Sequence, residues 1–156
     1  MKDDLAGSDE GFGCPNHVLV RTWHDDMIWF GPSGIVSTFT IRRYQDEHQD
    51  PFRQSLSDVH LNGHVSRFAE RHYAGWFGWP NLTMTPTGRF LGLPSSQKRV
   101  DMRVVDMYRR EGDKLAENWI SIDLPHWLLQ QGVDVLERMK KIVRERQPSQ
   151  RPWSAF

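Results

Sequence analysis

Hydrophobic and polar positions alternate most plainly over residues 99–110, where Val100, Met102, Val104, Asp106 and Tyr108 share one parity. A period of two is the signature of a strand with one buried face. Glu111-Gly112-Asp113 turns the chain, and Lys114–Ile122 is predicted to return as the partner strand. Upstream, residues 17–30 are rich in β-branched and aromatic side chains and end at Gly31-Pro32, which predicts a strand interrupted near His24-Asp25-Asp26. Ser33 offers an N-cap for a helix over 35–48, stopped before Pro51, with a further helical turn at 52–56. Residues 57–75 predict one or two strands with Asn62-Gly63 as a hairpin turn, and 76–80 (WFGWP) predict a break. Residues 81–85 and 89–91 flank the turn Pro86-Thr87-Gly88. Pro125 starts a helix, and 133–143 predict another, with Val133, Leu136, Met139 and Val143 on one stripe.

This order, strand and helix followed by a run of antiparallel strands and C-terminal helix, is that of an α+β domain. Glycines and bulges let a long strand curve over a helical layer, and Gly75, Gly78, Gly88 and Gly92 lie where that curvature is needed. The domain is expected over 17–143, between polar tails at 1–16 and 144–156.

The chain has 156 residues, enough for one real core, and its 20 basic residues equal its 20 acidic ones. A zero net charge gives no footprint for nucleic acid or an anionic membrane, and it resists self-association poorly, so a homodimer is expected. The lone cysteine, Cys14, cannot form an internal disulfide, and no leader or spanning stretch is evident, which sets a cytoplasmic expectation. Seven tryptophans are the compositional outlier; they fit a core, a subunit interface or the wall of an apolar pocket. No H-E-x-x-H, C-x-x-C, G-x-S-x-G or phosphate-loop motif is present, so neither a metal nor a cofactor is expected.

Four segments carry a resemblance: Trp29-Phe30-Gly31-Pro32-Ser33-Gly34-Ile35, Gly75-Trp76-Phe77-Gly78-Trp79-Pro80, Gly88-Arg89-Phe90-Leu91-Gly92-Leu93-Pro94, and the tract from Met102 through Glu117-Asn118-Trp119 and Asp123 to Leu128-Leu129-Gln130-Gln131-Gly132. Over roughly residues 18–140 the chain resembles the SnoaL-like polyketide cyclases of the NTF2-like superfamily. The resemblance implies a cone of curved antiparallel sheet, about four to six strands, packed with helices around a pocket. It also implies an acid/base aspartate at the end of the last long strand, which serves aldol-type closure in the cyclases. Two departures stand out. Pro94-Ser95-Ser96-Gln97-Lys98 replaces the usual Thr-Gly-Lys or Thr-Gly-Arg turn, and no opening helix is evident before His17.

The aspartate implied by the resemblance is Asp123. Its own context is double: a carboxylate after the apolar run Trp119-Ile120-x-Ile122 can have a raised pKa, yet an Asp two residues before Pro125 is also a plain N-cap. Asp106 interrupts an apolar strand face and must find a partner or line a wet pocket. Whether it shares a face with Asp123 depends on the intervening turn. His72 is a third acid/base candidate, and Trp29, Trp119, Tyr108, Arg67 and His64 are candidate contacts for a small hydrophobic molecule. The expected function is cofactor-independent carboxylate acid/base catalysis on a hydrophobic carbonyl compound, by cyclase, isomerase or hydrolase chemistry. The alternative is a non-catalytic ligand-binding or dimerisation domain on the same fold.

Overall fold

The computed structural model describes residues 16–88 and 90–146. Seven strands form one curved, unclosed sheet: β1 (Trp23–Phe30), β2 (Ser37–Phe39), β3 (Leu56–Leu61), β4 (Ser66–Glu70), β5 (Tyr73–Pro86), β6 (Val100–Glu111) and β7 (Lys114–Ile122). Their order is β2-β1-β7-β6-β5-β3, with β4 also on β5. Helices α1 (Asn16–Thr22), α2 (Ile41–Tyr44), α3 (Asp50–Ser55), α4 (Leu124–Gln130) and α5 (Val135–Glu145) complete the α+β fold. The sheet is one strand larger than expected, and β1 runs parallel to β7 while the other pairs are antiparallel.

Several expected boundaries move. Residues 16–22 form a helix rather than the start of a strand, so a short helix does precede β1. It buries Leu19 in the core and leaves Val20 half exposed, a tertiary contact that overrides β-branched propensity. The helix expected from Ser33 begins instead at Ile41, capped by Thr40, whose Oγ1 accepts from the Arg43 amide at 3.3 Å. The β-branched run before it supplies edge strand β2. Pro51 does not end the helix. A π turn, Gln45–Gln49, joins α2 to α3, and Pro51 falls in the first turn of α3. Widening the ladder there relieves the clash a proline makes with the carbonyl four residues back.

The expected break at 76–80 lies inside β5, whose ladder to β6 shifts register between Gly78 and Leu82. That bulge bends a 14-residue strand without ending it. Asn62-Gly63 does not make a hairpin of β3 with β4, because both strands pair with β5. Residues 90–92 form a 3-10 turn. The β6–β7 hairpin and α4 stand where the pattern put them. Helix α5 runs to Glu145, past the expected domain end, and its apolar stripe is not buried: Leu136, Met139, Ile142 and Val143 are each more than half exposed. Cys14 and most of both expected tails lie outside the described residues. Among the described residues no helix is long and apolar enough to cross a membrane.

The core sits between the inner face of the sheet and helices α2–α4. Met27 and Trp29 of β1, Trp76, Leu82 and Met84 of β5, Val100 to Tyr108 on alternate positions of β6, and Ile120 of β7 meet Ile41, Phe52, Phe90 and Trp127. Rings continue through it: Trp29 on His48, His48 by Phe52, Phe52 edge-on to Phe90, and Phe90 edge-on to Trp127.

A candidate acid/base site on the inner face of the sheet

The period of two in β6 that buries Val100, Met102 and Val104 also buries Asp106 and Tyr108. Asp106 is 2% exposed, between Trp76 of β5 and Ile120 of β7 in the ladders on either side. An isolated carboxylate there would be prohibitive, so it is hydrogen-bonded. The Tyr108 hydroxyl donates to Oδ2 at 2.7 Å, and the Asn118 amide donates to Oδ1. Asn118 stands opposite Tyr108 in the β6–β7 ladder and also donates to the Met107 carbonyl at 3.1 Å.

Burial pushes the Asp106 carboxyl up to about 7, against the opposing pull of the bonds from Tyr108, Asn118 and the Met107 backbone. Desolvation wins because two neutral donors replace only part of the water a carboxylate needs. Tyr108 is raised well above its ordinary range by burial first and by the Asp106 charge second; Tyr44 of α2 is near enough to add to the effect. Near neutral pH the pair is therefore a tyrosine that keeps its proton beside an acid that exchanges its own.

Asp123 occupies a different environment. Residues Gly112 and Asp113 make the β6–β7 turn, and a bulge at the next register step pairs Arg109 with Glu117 but Arg110 with Leu115. The bulge inverts the parity that a two-residue turn alone would give. Asp106 points inward, while Asp123 follows Ile122 to the parity of Arg103, whose carbonyl accepts from its amide at 3.1 Å. Its Oδ1 caps α4 by accepting from the His126 amide at 3.1 Å, and its Oδ2 lies 3.4 Å from Arg103 Nη1. The side chain is 39% exposed. The enclosed environment expected for Asp123 is absent, and the cap reading describes its contacts.

The remaining candidates divide between the two faces and the rim. Trp29 is buried on the inner face, stacked on His48. His64 packs its ring against Trp76, with centroids 4.1 Å apart. His72 is exposed in the β4–β5 turn, where its carbonyl accepts from the Arg110 amide. Arg67 is exposed on β4. Trp119 alternates with the inward Asn118 and Ile120, so it lies on the outer face, where it stacks on Phe30 at 5.6 Å. The structure thus brings Asp106, Tyr108, Trp29 and His64 to the inner side, leaves Arg67 exposed on the inward parity of β4 opposite Trp76, and puts His72, Trp119 and Asp123 outside it.

Two inner-face residues escaped the sequence reading. Asn118 was detectable as the polar residue on the buried parity of β7. His48 was detectable as the middle of the helical triplet Tyr44, His48, Phe52, spaced i, i+4, i+8. Among the described residues no three His, Cys, Asp or Glu side chains converge as a metal site.

The family model for SnoaL-like polyketide cyclases matches residues 79–131, a span holding Asp106, Tyr108, Asn118 and Asp123. No curated protein matches the chain. Among solved structures, TsrD from Streptomyces laurentii superposes with a TM-score of 0.69 at 17% identity, covering 84% of this chain and 93% of that one. A candidate SnoaL-like polyketide cyclase from Shewanella putrefaciens CN-32 gives 0.70 at 14% identity, covering 85% and 98%. An NTF2-like protein from Burkholderia xenovorans LB400 gives 0.61 at 12% identity, covering 83% and 91%. The fold is NTF2-like, and the chain resembles the SnoaL-like polyketide cyclases.

Proposed function

We propose that the protein is a cofactor-independent acid/base catalyst acting on a small hydrophobic carbonyl compound, with Asp106 as the proton carrier in place of Asp123. The observation that carries this reading is a buried carboxyl held near 7 by its apolar surroundings and braced by two donors. An acid balanced at neutral pH is half ionised there, so it can take a proton from carbon next to a carbonyl and return it elsewhere. Tyr108 and Asn118 fix the carboxyl plane while leaving each oxygen a second lone pair. The work of such a site is enolisation, the step shared by isomerisation and aldol-type cyclisation. The match to polyketide cyclases supports that class of substrate.

The test is exchange of the α-protons of 2-tetralone into deuterated water, followed by NMR. Asp106→Asn should lose at least ~100-fold of the protein-dependent rate, the usual worth of a positioned base. Asp123→Asn should stay within a few-fold. The reverse ranking returns the role to Asp123, and no protein-dependent exchange ends the enzymatic reading.

A second reading has its own observation. Trp29, Trp76, Trp127, Phe52 and Phe90 fill much of the inner face, as a non-catalytic binding domain would. Saturable binding of 2-tetralone without exchange supports it.

We further propose a homodimer through the outer face of the sheet. Phe30, Trp119 and Met107 form one row across β1, β7 and β6, and the Phe68 ring extends it by lying over Gly75, where a Cβ would come within 2.5 Å of the ring. Such a row marks an association surface. Trp119→Glu should convert the dimer to monomer in light scattering; a wild-type monomer discards the proposal.

A further inference from the structure

Helix α5 carries an apolar stripe that the fold leaves open. Leu136, Met139, Ile142 and Val143 are each more than half exposed, and no residue of the helix is buried. The helix packs chiefly against α4. Asp134 caps its first turn, accepting from the Glu137 amide at 2.9 Å. A cap alone does not hold a helix of 11 residues. Helices this short are marginal in water and take most of their stability from burying one face. The stripe therefore calls for a cover.

The charge around the stripe points to what covers it. Residues 135–146 hold five basic and two acidic side chains, a local net charge of +3 in a chain whose total is zero. Both glutamates lie against lysines, Glu137 at 2.6 Å from Lys140 and Glu145 at 3.9 Å from Lys141. Arg138, Arg144 and Arg146 have no carboxylate partner among the described residues. Arg138 and Arg146 line one open hollow with Val135, Met139, Ile142 and Val143. At about 3.6 residues per turn, Arg138 and Lys140 flank the stripe on its two sides and Arg144 lies behind it. Guanidinium groups beside an apolar strip suit phosphate oxygens above acyl chains, with the heads on the phosphates and the stems along apolar surface.

Other covers fit less well. A second copy of α5 would bring the same positive charge. A helix about 16 Å long also buries far less than a stable dimer needs. An acidic protein partner meets the same shortage of area. A bilayer surface needs no matched shape, only one amphipathic face and anionic headgroups.

We propose that α5 is a peripheral membrane anchor lying in the surface of an anionic phospholipid bilayer, with Leu136, Met139, Ile142 and Val143 among the acyl chains and Arg138, Lys140 and Arg146 on the headgroup phosphates. The balance of charge over the whole chain conceals this local footprint. The helix lies on the bilayer and does not cross it, so the anchor is reversible and weakens with salt. It holds the domain where hydrophobic compounds partition, whichever chemistry the core performs.

The experiment is co-sedimentation of the full chain with vesicles of phosphatidylcholine containing phosphatidylserine, against vesicles of phosphatidylcholine alone. Wild type should bind the anionic vesicles at least ~tenfold more tightly, and high salt should remove that preference. Leu136→Gln with Ile142→Gln takes two exposed apolar side chains from the stripe and should weaken binding to anionic vesicles at least ~tenfold. Arg138→Gln with Arg146→Gln should weaken it by a similar factor and reduce the preference for phosphatidylserine. Hydrogen exchange of wild type, read with and without anionic vesicles, should slow at the α5 amides and leave β6 and β7 unchanged. That reading decides the matter even if a variant fails to fold. No binding by wild type, equal binding to both vesicles, undiminished binding by either double variant, or no protection at α5 overturns the proposal. So does a wild-type oligomer that Leu136→Gln with Ile142→Gln turns into monomer in light scattering, which would give the stripe to a second copy.

Discussion

Tyr108 donates a 2.7 Å hydrogen bond to Asp106, its neighbour two positions back on the same strand face. The bond opposes burial, so removing it should let burial prevail further. In Tyr108→Phe the Asp106 carboxyl should rise above its value of about 7 by roughly one unit, since a hydrogen bond to a charged group is worth about 1.5–3 kcal/mol. A ¹³C NMR titration of the carboxyl carbon measures this directly. A carboxyl that titrates unchanged, or lower, would show that the tyrosine does not brace the ionised form.

The cap at Asp123 predicts a structural phenotype. Its Oδ1 satisfies the His126 amide at the start of α4, and α4 carries the fully buried Trp127 into the core. Asp123→Ala should cost about 1 kcal/mol in urea unfolding, the usual worth of an N-cap, while Asp123→Asn keeps an acceptor and costs less. Neither change should move the Asp106 titration, because the two side chains lie on opposite faces of the hairpin. A shift of Asp106 in Asp123→Ala would show that they communicate.

The hairpin also marks how far the sequence was legible. Alternation in β6 announced which residues face inward, Asp106 and Tyr108 among them, because a period of two survives any change of neighbour. The face of Asp123 was not legible. It hinges on one bulge after Lys114, and a bulge leaves no mark in a hydrophobic pattern when both strand faces carry mixed residues. The segment WFGWP reads as a break because Gly and Pro are local signals, yet pairing with β6 on one side and β4 on the other holds it extended. In residues 16–22 β-branched residues pointed to a strand where a helix forms, since packing of Leu19 outweighs local preference; in 35–40 the cap signal of Ser33 pointed to a helix where the β-branched run pairs as β2 on β1. The helix triplet Tyr44-His48-Phe52 was present in the sequence, but Pro51 masked it until the π turn explained how the helix passes that residue.

Asn81 should be the most sensitive polar position away from the carboxyl. It sits in the β5 bulge, fully buried, and its Oδ1 accepts from the Val104 amide at 2.7 Å. That bond stands in for a ladder hydrogen bond where the register slips, two residues before Asp106 on β6. Asn81→Ala orphans a buried amide and opens a small void, for a loss of about 2–3 kcal/mol in urea unfolding. Because the bulge sets the curvature beside Asp106, the variant should also change the carboxyl titration. Unfolding within 0.5 kcal/mol of wild type, roughly the range of an inert surface change, would mean the sheet curves without it.

Asp106 and His48 should oppose one another in the pH dependence of stability. The Asp106 carboxyl moves from 3.8 in the unfolded chain to about 7 in the native one. Between those values the native state holds a proton that the unfolded state has released, so stability falls as pH rises, by at most about 4 kcal/mol across the window. His48 moves from 6.5 to about 4, and there the unfolded chain holds the proton and the native state does not. Stability then rises with pH over nearly the same interval, by at most about 3 kcal/mol. The two contributions largely cancel in wild type between about pH 4.5 and 6.5, and each should surface when the other is removed. Relative to wild type, Asp106→Asn should gain stability with rising pH at roughly 1 kcal/mol per unit, and His48→Phe should lose it at a similar slope. Urea unfolding of the three proteins at half-unit steps of pH separates these signs. Parallel curves would mean that neither group is buried in the state that folds.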